Sequence, residues 1–324
     1  MKSPIWNPDG SLPRLIVFAI GMLFFASANA QDLKIIAPFS PGGNIDLTAR
    51  IVAKGLGSRS NRNVIVENKP GAGGMIGGNL VAKSKPDGTT LLLASPSSIF
   101  GGPILQGSKA SYRVSDLTPV GAVTSTPLLV VVKSDSEFKT LADLVNAARS
   151  VRSLSFAHPG EGTINQIAII KLGEELGVDL VSVPFKGSID GLQEVMAGRV
   201  DVSIAEITVS RQFLLADRLR ALAVIADARI GAMPEVPTLK EQGIRTVEAN
   251  IYTALMAPSG TPDAVLNQLN QALSDVLDDA ETQASFAQLG VEPMRMSRPQ
   301  FVQQIRRDAD RFKTMVDKGQ IRTQ

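Results

Sequence analysis

The sequence predicts an α/β protein built from two units, and three observations carry that prediction. Short apolar segments typical of strands alternate with segments of helical spacing over residues 33–94, and the same alternation returns over residues 153–225. Such alternation is typical of parallel sheets with helices on their faces. The third observation is length, because 324 residues suffice for a leader and two domains of about 150 residues each.

The first thirty residues have the composition of a secretory signal peptide. Lys2 and Arg14 precede an apolar run over residues 15–26, and Ala28-Asn29-Ala30 then supplies the small residues of a cleavage site. The run is shorter than the ~18 apolar residues that a membrane-spanning helix needs. We therefore predict cleavage after Ala30 and export, with an uncleaved anchor helix as the alternative.

The first unit is predicted to run strand, helix, strand, helix, strand. Apolar segments mark its strands, and each strand ends in a turn rich in glycine, proline, serine or asparagine. Asn44 is a good N-cap for the first helix, and Asp46 lies in its first turn, where a carboxylate suits the helix dipole. The predicted strands cover residues 33–37, 63–67 and 89–94, and the helices begin at residue 44 and near residue 75.

The second unit is predicted to repeat this order of strands and helices, without a sequence repeat of fixed period. A long apolar stretch over residues 120–132 is interrupted at Pro127 and can run from one unit into the next. Helices are predicted over residues 143–150 and in segments that end near residues 176 and 198. The predicted strands cover residues 153–157, 180–183, 201–205 and 220–225.

The C-terminal region predicts a returning strand over residues 252–257 and two amphipathic helices. Thr261 is a suitable N-cap for the first of them, with Pro262 at the first helical position. Ser297 and Gln300 form a capping box for the last helix, and Gly319 ends it. The apolar stripes of both helices predict a role in core packing and none in ligand binding.

Composition disfavours several classes of function. A net charge of +2 supplies no field for nucleic acid or an anionic membrane, and 5% aromatic residues do not favour sugar stacking. The chain has no cysteine and one histidine, His158, which excludes thiolate chemistry and multi-histidine zinc sites. A glycine-rich run over residues 71–77 fails the dinucleotide pattern at Ile76. We predict a binding protein with no cofactor and no metal.

Five strand-to-helix turns could hold a ligand. In open α/β sheets a ligand lies at the carboxyl ends of strands, where helix N-termini present N–H groups that suit an anion. Glycine in such turns allows a ligand to approach the backbone closely, although for any single turn ordinary loop geometry is the better explanation. The candidate turns cover residues 40–44, 68–74, 95–98, 160–163 and 187–188.

Several segments carry a family resemblance. They are Ala37-Pro38-Phe39-Ser40-Pro41-Gly42-Gly43, Asn68-Lys69-Pro70-Gly71-Ala72-Gly73-Gly74, Pro86-Asp87-Gly88, Val183-Pro184-Phe185-Lys186-Gly187-Ser188, Leu219-Arg220-Ala221-Leu222-Ala223-Val224 and Pro234-Glu235-Val236-Pro237-Thr238. In this order they resemble the Bug-type solute-binding receptors of tripartite tricarboxylate transporters, and the likeness covers the chain after the leader.

The resemblance implies a periplasmic binding protein of type II-like, two-lobed α/β architecture, with a ligand cleft between the lobes. One lobe is expected over residues 31–127 and 253–324, and the other over residues 128–252. The family captures small carboxylates and delivers them to a membrane permease, so we expect a monomeric receptor that is not an enzyme. The expected ligand-binding residues are Phe39, Ser40, Gly42, Gly43, Asn44, Ser95, Gly162, Thr163, Gln166, Gly187, Ser188 and Glu206.

Two departures from the family pattern affect the expected selectivity. The motif Gly-x-Gly-Ser-x-x-His has Thr163 and Gln166 in place of its serine and histidine, and Glu206-Ile207 stands where Asp-Asn is frequent. A carboxylate at residue 206 repels a second carboxylate and favours a hydrogen-bond donor. We expect a monocarboxylate with a donor-bearing tail in preference to a tricarboxylate.

Two other functions stay open on the sequence. One is an exported enzyme on the same fold that uses Glu206 or His158, although no activated nucleophile is visible. The other is a receptor that reports its ligand to a signalling partner. We expect His158 to be a loop residue, Asp46 to serve its helix terminus, and Lys186 to be exposed.

Overall fold

The computed structural model describes residues 32–60, 62–150, 153–245, 247, 251–319 and 321. The predicted signal peptide and its cleavage site lie outside the described residues. The strands are β1 Leu33–Ala37, β2 Val64–Asn68, β3 Thr90–Ala94, β4 Leu117–Thr126, β5 Leu128–Lys133, β6 Leu154–His158, β7 Leu180–Pro184, β8 Val202–Glu206, β9 Leu219–Ile225, β10 Ile251–Pro258 and β11 Glu292–Pro293.

Ten α-helices alternate with these strands over the described ranges. They are α1 Asn44–Ser60, α2 Met75–Ala82, α3 Gly102–Gln106, α4 Leu141–Arg149, α5 Ile164–Leu176, α6 Ser188–Met196, α7 Ile207–Leu215, α8 Asp263–Leu277, α9 Ala280–Leu289 and α10 Arg298–Asp317. A π-helical turn, Ser97–Gly101, precedes α3, and short 3₁₀ turns lie at Ala72–Gly74, Gly107–Lys109 and Val114–Asp116. No helix among the described residues has the length and apolar character needed to cross a membrane.

The strands form two sheets. The first has the order β11-β4-β10-β3-β1-β2, and the second has the order β7-β6-β8-β5-β9. The chain passes from the first sheet to the second at Pro127, between β4 and β5, inside the apolar stretch that sequence placed there. It returns with β10, which begins at Ile251, one residue before the returning strand predicted over residues 252–257.

Both sheets are mixed, and the sequence predicted only their parallel part. The strand–helix–strand units are parallel as predicted, because β1 pairs in parallel with β2 and β3, and β6 with β7 and β8. The strands beside the two crossings run the other way: β10 is antiparallel to β3 and β4, and β5 is antiparallel to β8 and β9. Parallel neighbours need a crossover connection, and helices supply it within the strand–helix–strand units of each sheet.

One apolar core extends through both sheets. Ile35 and Leu91 of the first sheet and Leu129 and Val131 of the second are fully buried members of the same cluster. Apolar residues on one face of each strand are thereby removed from water, which is the main favourable term in folding. The shared core packs the two sheets against each other.

The C-terminal helices pack as their apolar stripes predict, with one correction at a cap. Helix α8 buries Leu266, Leu269, Leu273, Val276 and Leu277, and α10 buries Phe301, Ile305 and Phe312. The capping box of α10 is formed by Ser297 and Gln300. The N-cap of α8 is Pro262, however, and not Thr261, whose hydroxyl donates to the carbonyl oxygen of Pro258 at 2.8 Å.

Candidate functional site

Four helix N-termini from the two sheets meet around one cavity. Helix α1 follows β1 of the first sheet, whereas α5, α6 and α7 follow β6, β7 and β8 of the second. The volume of this cavity is about 20 Å³, on the scale where one water molecule needs ~10–15 Å³. We call it the solute cavity. Its lining residues are Phe39, Gly43, Asn44, Ile45, Ser95, Pro96, Ser97, Pro159, Thr163, Ile164, Asn165, Ser188, Glu206 and Ile251.

The loops of the two sheets touch each other across this cavity. Ser40 Oγ donates to Asp190 Oδ2 at 2.7 Å, and Thr208 Oγ1 donates to Asn44 Oδ1 at 3.0 Å. These bonds join residues of α1 and its entry loop to α6 and α7 of the second sheet. They hold the two sides of the cavity together, which explains its small volume.

Glycines allow the two sides to approach this closely. Gly73 has a φ of +62°, and a Cβ there would collide with the carbonyl oxygen of Glu161 on the opposite side. A Cβ at Gly187 would lie 3.1 Å from the Cβ of Ser40. Only glycine adopts the first conformation without strain, so the glycine-rich turns of the sequence serve contact between the two sides.

The residues around the solute cavity suit an anion that is bound by neutral donors and not by a positively charged side chain. Among the described residues that line it, none is lysine or arginine, and Glu206 is the only one with an ionisable side chain. Four helix N-termini supply N–H groups and positive dipole ends. Hydroxyl groups are also present, and those of Ser95 and Ser97 lie 2.9 Å apart. The arrangement can bind a carboxylate through backbone and hydroxyl donors.

Glu206 is buried in the wall of the cavity and is held by two donors. It is 5% exposed. Ser188 Oγ donates to Glu206 Oε2, and Asn165 Nδ2 donates to Glu206 Oε1 at 3.3 Å. Burial raises the pKa of Glu206 above its ordinary value, while the bonds from Ser188 and Asn165 act in the opposite direction. Burial is the larger of these effects, so the pKa of the Glu206 carboxyl group stays above its ordinary value.

Thr163 and Gln166 organise the loop over residues 160–163. Thr163 Oγ1 donates to the carbonyl oxygen of Gly160 at 2.7 Å and accepts from the N–H of Gln166 at 3.3 Å, which caps α5. Gln166 Oε1 accepts from the N–H of Gly162 at 2.7 Å, and Gln166 Nε2 donates to Glu161 Oε2. Thr163 lines the cavity, whereas the side chain of Gln166 is used within its own loop.

The structure brings seven of the twelve expected site residues into the lining. These are Phe39, Gly43, Asn44, Ser95, Thr163, Ser188 and Glu206. The other five do not line the cavity and flank or support it from neighbouring positions of the same loops: Ser40, Gly42, Gly162, Gln166 and Gly187.

Asp46 and His158 have structural roles in the folded chain. Asp46 Oδ2 accepts from the N–H of Gly42 at 2.8 Å and from Arg50 Nε at 3.0 Å, so it serves the N-terminus of α1. Burial raises the pKa of Asp46, yet the bonds from Arg50 and Gly42 leave it below the ordinary value. His158 is 1% exposed, its Nδ1 lies 2.9 Å from the carbonyl oxygen of Gly160, and burial lowers its pKa. Neither residue lines the solute cavity.

Sequence reasoning missed seven lining residues. Asn165 carries a signal, because it is a polar residue in the first turn of the helix predicted to end near residue 176. Ile251 carries none, because it reaches the cavity only through the return of the chain to the first sheet. The others lie within or beside predicted turns: Ile45, Pro96, Ser97, Pro159 and Ile164.

No cluster of three or more histidine, cysteine, aspartate or glutamate side chains able to hold a metal ion exists within the described part of the chain. The donor set of the solute cavity consists instead of hydroxyl, amide and backbone groups with one carboxyl group.

Comparison with known proteins identifies a matching family and proteins of similar sequence. A family model described as "Tripartite tricarboxylate transporter family receptor" matches residues 48–321. The chain is 34% identical over 266 residues to a UPF0065 protein from the tcbD-tcbE intergenic region of Pseudomonas sp. strain P51, covering 81% of this chain and 79% of the relative.

Two solved structures from Rhodopseudomonas palustris match almost the whole described fold. MatC with bound malate has 28% identity and a TM-score of 0.83, over 88% of this chain and 98% of MatC. A second protein, solved with adipate, has 25% identity and a TM-score of 0.85, over 90% of this chain and 98% of that protein.

Proposed function

This chain belongs to the family of tripartite tricarboxylate transporter receptors, and from that membership we propose that its solute cavity captures a small carboxylate for delivery to the membrane components of such a transporter. Members of this family are solute-binding receptors. The observation that carries the proposal is a cavity at four helix N-termini with no lysine or arginine among its described lining residues. The bound malate and adipate of two relatives are both dicarboxylates, which supports small carboxylates as the solute class.

We assign the two sides of the cavity to two lobes that close on the solute. Residues 31–127 and 253–324 form one lobe, and residues 128–252 form the other. Support comes from the two sheets, since β5 to β9 fall between residues 128 and 225 and β10 returns to the first sheet. A solute that contacts both sides only in the closed form must favour closure.

The cavity binds its solute without converting it. Members of the family are solute-binding receptors, and the hydrogen bonds that Glu206 accepts from Ser188 and Asn165 hold its side chain in the cavity wall. Deep burial of His158, with its Nδ1 beside the carbonyl oxygen of Gly160, removes the other candidate base from the cavity. We propose that the mature receptor acts as a monomer in the periplasm, after removal of residues 1–30.

Expected selectivity follows from the position of Glu206. Both of its oxygens accept hydrogen bonds, from Ser188 and Asn165, and these bonds oppose the effect of burial, which disfavours the ionised form. A ligand tail with an ammonium or amide donor stabilises that form, whereas a second carboxylate requires the protonated form. We therefore propose a carboxylate with a donor-bearing tail as the preferred solute. A Glu206→Gln variant should gain affinity for dicarboxylates relative to amide acids, and an unchanged ranking in calorimetry would contradict this selectivity.

A thermal-shift screen of carboxylates on the purified chain tests the receptor function. Malate, adipate, amino acids and amide acids form the panel, and the matching neutral amides are the ligand controls. A solute at about 100 times its Kd raises the free energy of unfolding by about 2.7 kcal/mol. Stabilisation by at least one carboxylate, and not by its amide, supports the proposal. Turnover of that compound during incubation would instead support the enzyme alternative.

A further inference from the structure

A second cavity lies behind the solute cavity. Pro96 and Ile164 line both cavities and form the wall between them. The volume of the second cavity is about 120 Å³, and an engineered apolar cavity of ~150 Å³ admits benzene. It therefore has room for one ring-sized molecule. The described lining residues are Pro96, Phe100, Ile164, Ile167, Lys171, Tyr252, Asp308, Arg311, Phe312 and Met315.

Elements from both sides of the molecule form its walls. Ile164 and Ile167 belong to α5, which follows β6 of the second sheet, whereas Phe312 and Met315 belong to the C-terminal helix α10. Phe100 packs edge-on against Phe312 with ring centroids 5.7 Å apart. The walls are thus mostly apolar, which favours an apolar ligand body.

One buried hydroxyl in this cavity lacks a hydrogen-bond partner. Tyr252 is 2% exposed and lines the cavity, and its Oη makes no hydrogen bond to the described residues. Burial raises the pKa of Tyr252, and the neighbouring Asp308 carboxyl group raises it further without satisfying hydrogen-bond geometry. The hydroxyl therefore stays protonated, and a buried donor without an acceptor costs stability.

The polar groups beside Tyr252 favour a neutral head group. Asp308 lines the cavity together with Tyr252 and is half-buried, so a ligand carboxylate beside Tyr252 would lie against a second carboxyl group. Lys171 does not offset this, because its Nζ pairs with Glu174 Oε2 at 2.7 Å, and Arg311 is exposed. A neutral hydroxyl group avoids the repulsion, since it accepts from Tyr252 Oη and donates to Asp308.

We propose that the second cavity is a binding site for a small neutral alcohol or phenol, whose apolar body is about the size of one benzene ring. The ring packs between Ile167, Phe312 and Met315, and the ligand oxygen lies between Tyr252 Oη and the Asp308 carboxyl group. This site is separate from the solute cavity and does not depend on the identity of the solute.

Phenol titrated calorimetrically into the full chain tests the site, with toluene as the ligand that lacks the hydroxyl. Phenol should bind with one-to-one stoichiometry and more tightly than toluene. Tyr252→Phe should weaken phenol about three- to tenfold, the effect of one neutral hydrogen bond, and leave toluene unchanged. Tyr112→Phe is the matched control, since it removes the other tyrosine hydroxyl of the chain and should leave phenol affinity unchanged.

Met315→Trp fills the cavity from the half-buried side of α10 and should abolish the binding of both ligands. The proposal is overturned if phenol shows no saturable binding, or if phenol affinity is the same in the chain, in Tyr252→Phe and in Met315→Trp. It is also overturned if Glu206→Gln, which alters only the solute cavity, weakens phenol while Tyr252→Phe does not. Because no solute enters this experiment, its failure leaves the proposed receptor function untouched.

Discussion

Burial disfavours the charged form of the Glu206 carboxyl group. Burial raises the pKa of Glu206 above 4.5 in the folded chain. The folded chain therefore keeps this proton up to a higher pH than the unfolded chain does. Between those two pKa values the folded state binds more protons than the unfolded state. Stability from this group is therefore present at low pH and is lost as pH rises through the raised pKa.

We predict that Glu206→Gln changes the pH dependence of stability. Relative to the unsubstituted chain, the variant should become steadily more stable as pH rises above about 4.5, as measured by urea unfolding from pH 4 to pH 8. Glu241→Gln is the control of opposite sign, because the bond from the Thr238 N–H and the nearby Arg229 lower the pKa of Glu241. Parallel curves for Glu206→Gln and the unsubstituted chain would contradict a raised pKa.

Thr163 links the capping of α5 to the geometry of the solute cavity. Thr163→Val removes the hydroxyl that bonds Gly160 and the N–H of Gln166, and we expect a loss of about 1 kcal/mol in the free energy of unfolding. The loop over residues 160–163 then loosens, so all carboxylates should bind more weakly, whatever the rest of the ligand molecule.

Thr140→Val is the matched control for this prediction. Thr140 caps α4 by accepting from the N–H of Asp143 at 3.2 Å, and it does not line the solute cavity. Both variants should lose similar stability in urea unfolding, whereas only Thr163→Val should lose affinity in calorimetry. Equal affinities would show that the Thr163 loop does not shape the site.

At the scale of elements, the turns between strands and helices decide whether the two sides can close. Gly73→Ala puts a Cβ against the Glu161 carbonyl oxygen and should destabilise the closed form. A penalty of about 1.4 kcal/mol in that form lowers solute affinity about tenfold. In small-angle scattering the radius of gyration should fall on solute addition for the unsubstituted chain, and fall less for Gly73→Ala.

Gly177→Ala separates this clash from backbone strain. Gly177 ends α5 with a φ of +67°, similar to that of Gly73, but a Cβ there meets no atom within 4 Å. Its variant should lose stability through the strained φ alone and should close normally. If both variants bind and close alike, contact between Gly73 and Glu161 is irrelevant to closure.

The same turns show how much of the fold the sequence could predict. Local chemistry identified the start of α10 from the Ser297–Gln300 box, and the strands from their apolar runs. The predicted N-cap of α1 was wrong by one residue, because Asn44 is the first helical residue and the Gly43 carbonyl oxygen accepts the first helical hydrogen bond. Antiparallel pairing of β5 and β10 could not be predicted, because it depends on two distant crossings between the sheets. The predicted N-cap of α8 was wrong because the Thr261 hydroxyl donates to the carbonyl oxygen of Pro258. The residues beside Thr261 do not predict that hydrogen bond.

The candidate site was predictable only where it coincides with turn chemistry. Gly43, Asn44, Thr163 and Ser188 begin or precede helices, so strand-to-helix turns alone pointed to them. Ile251 enters the cavity from a strand of distant sequence, and Gln166 turns away from it to bond Gly162 and Glu161. Side-chain direction of this kind depends on tertiary contacts that no local pattern encodes.

For the whole molecule, export is the first expectation that experiment can examine. The charged start, apolar run and Ala28-Asn29-Ala30 triplet predict a mature chain that begins at Gln31. Mass spectrometry of periplasmic protein should find that N-terminus and no intact leader. Recovery of a full-length chain from Met1 in the membrane fraction would favour the anchor-helix alternative.

Capture of a carboxylate between the two sides of the solute cavity is the central claim, and one calorimetric comparison tests it most directly. The carboxylate that stabilises the chain best is titrated into the unsubstituted chain, into Gly43→Val, and into Gly57→Val as a control within α1. A branched side chain at Gly43 stands in the cavity lining, 3.2 Å at its Cβ from the Ser40 carbonyl oxygen. Loss of one charge-assisted hydrogen bond costs about 1.5–3 kcal/mol, so Gly43→Val should weaken binding from about tenfold to more than a hundredfold. Affinity should be kept in Gly57→Val, and equal affinity in all three proteins would contradict the placement of the carboxylate in this cavity.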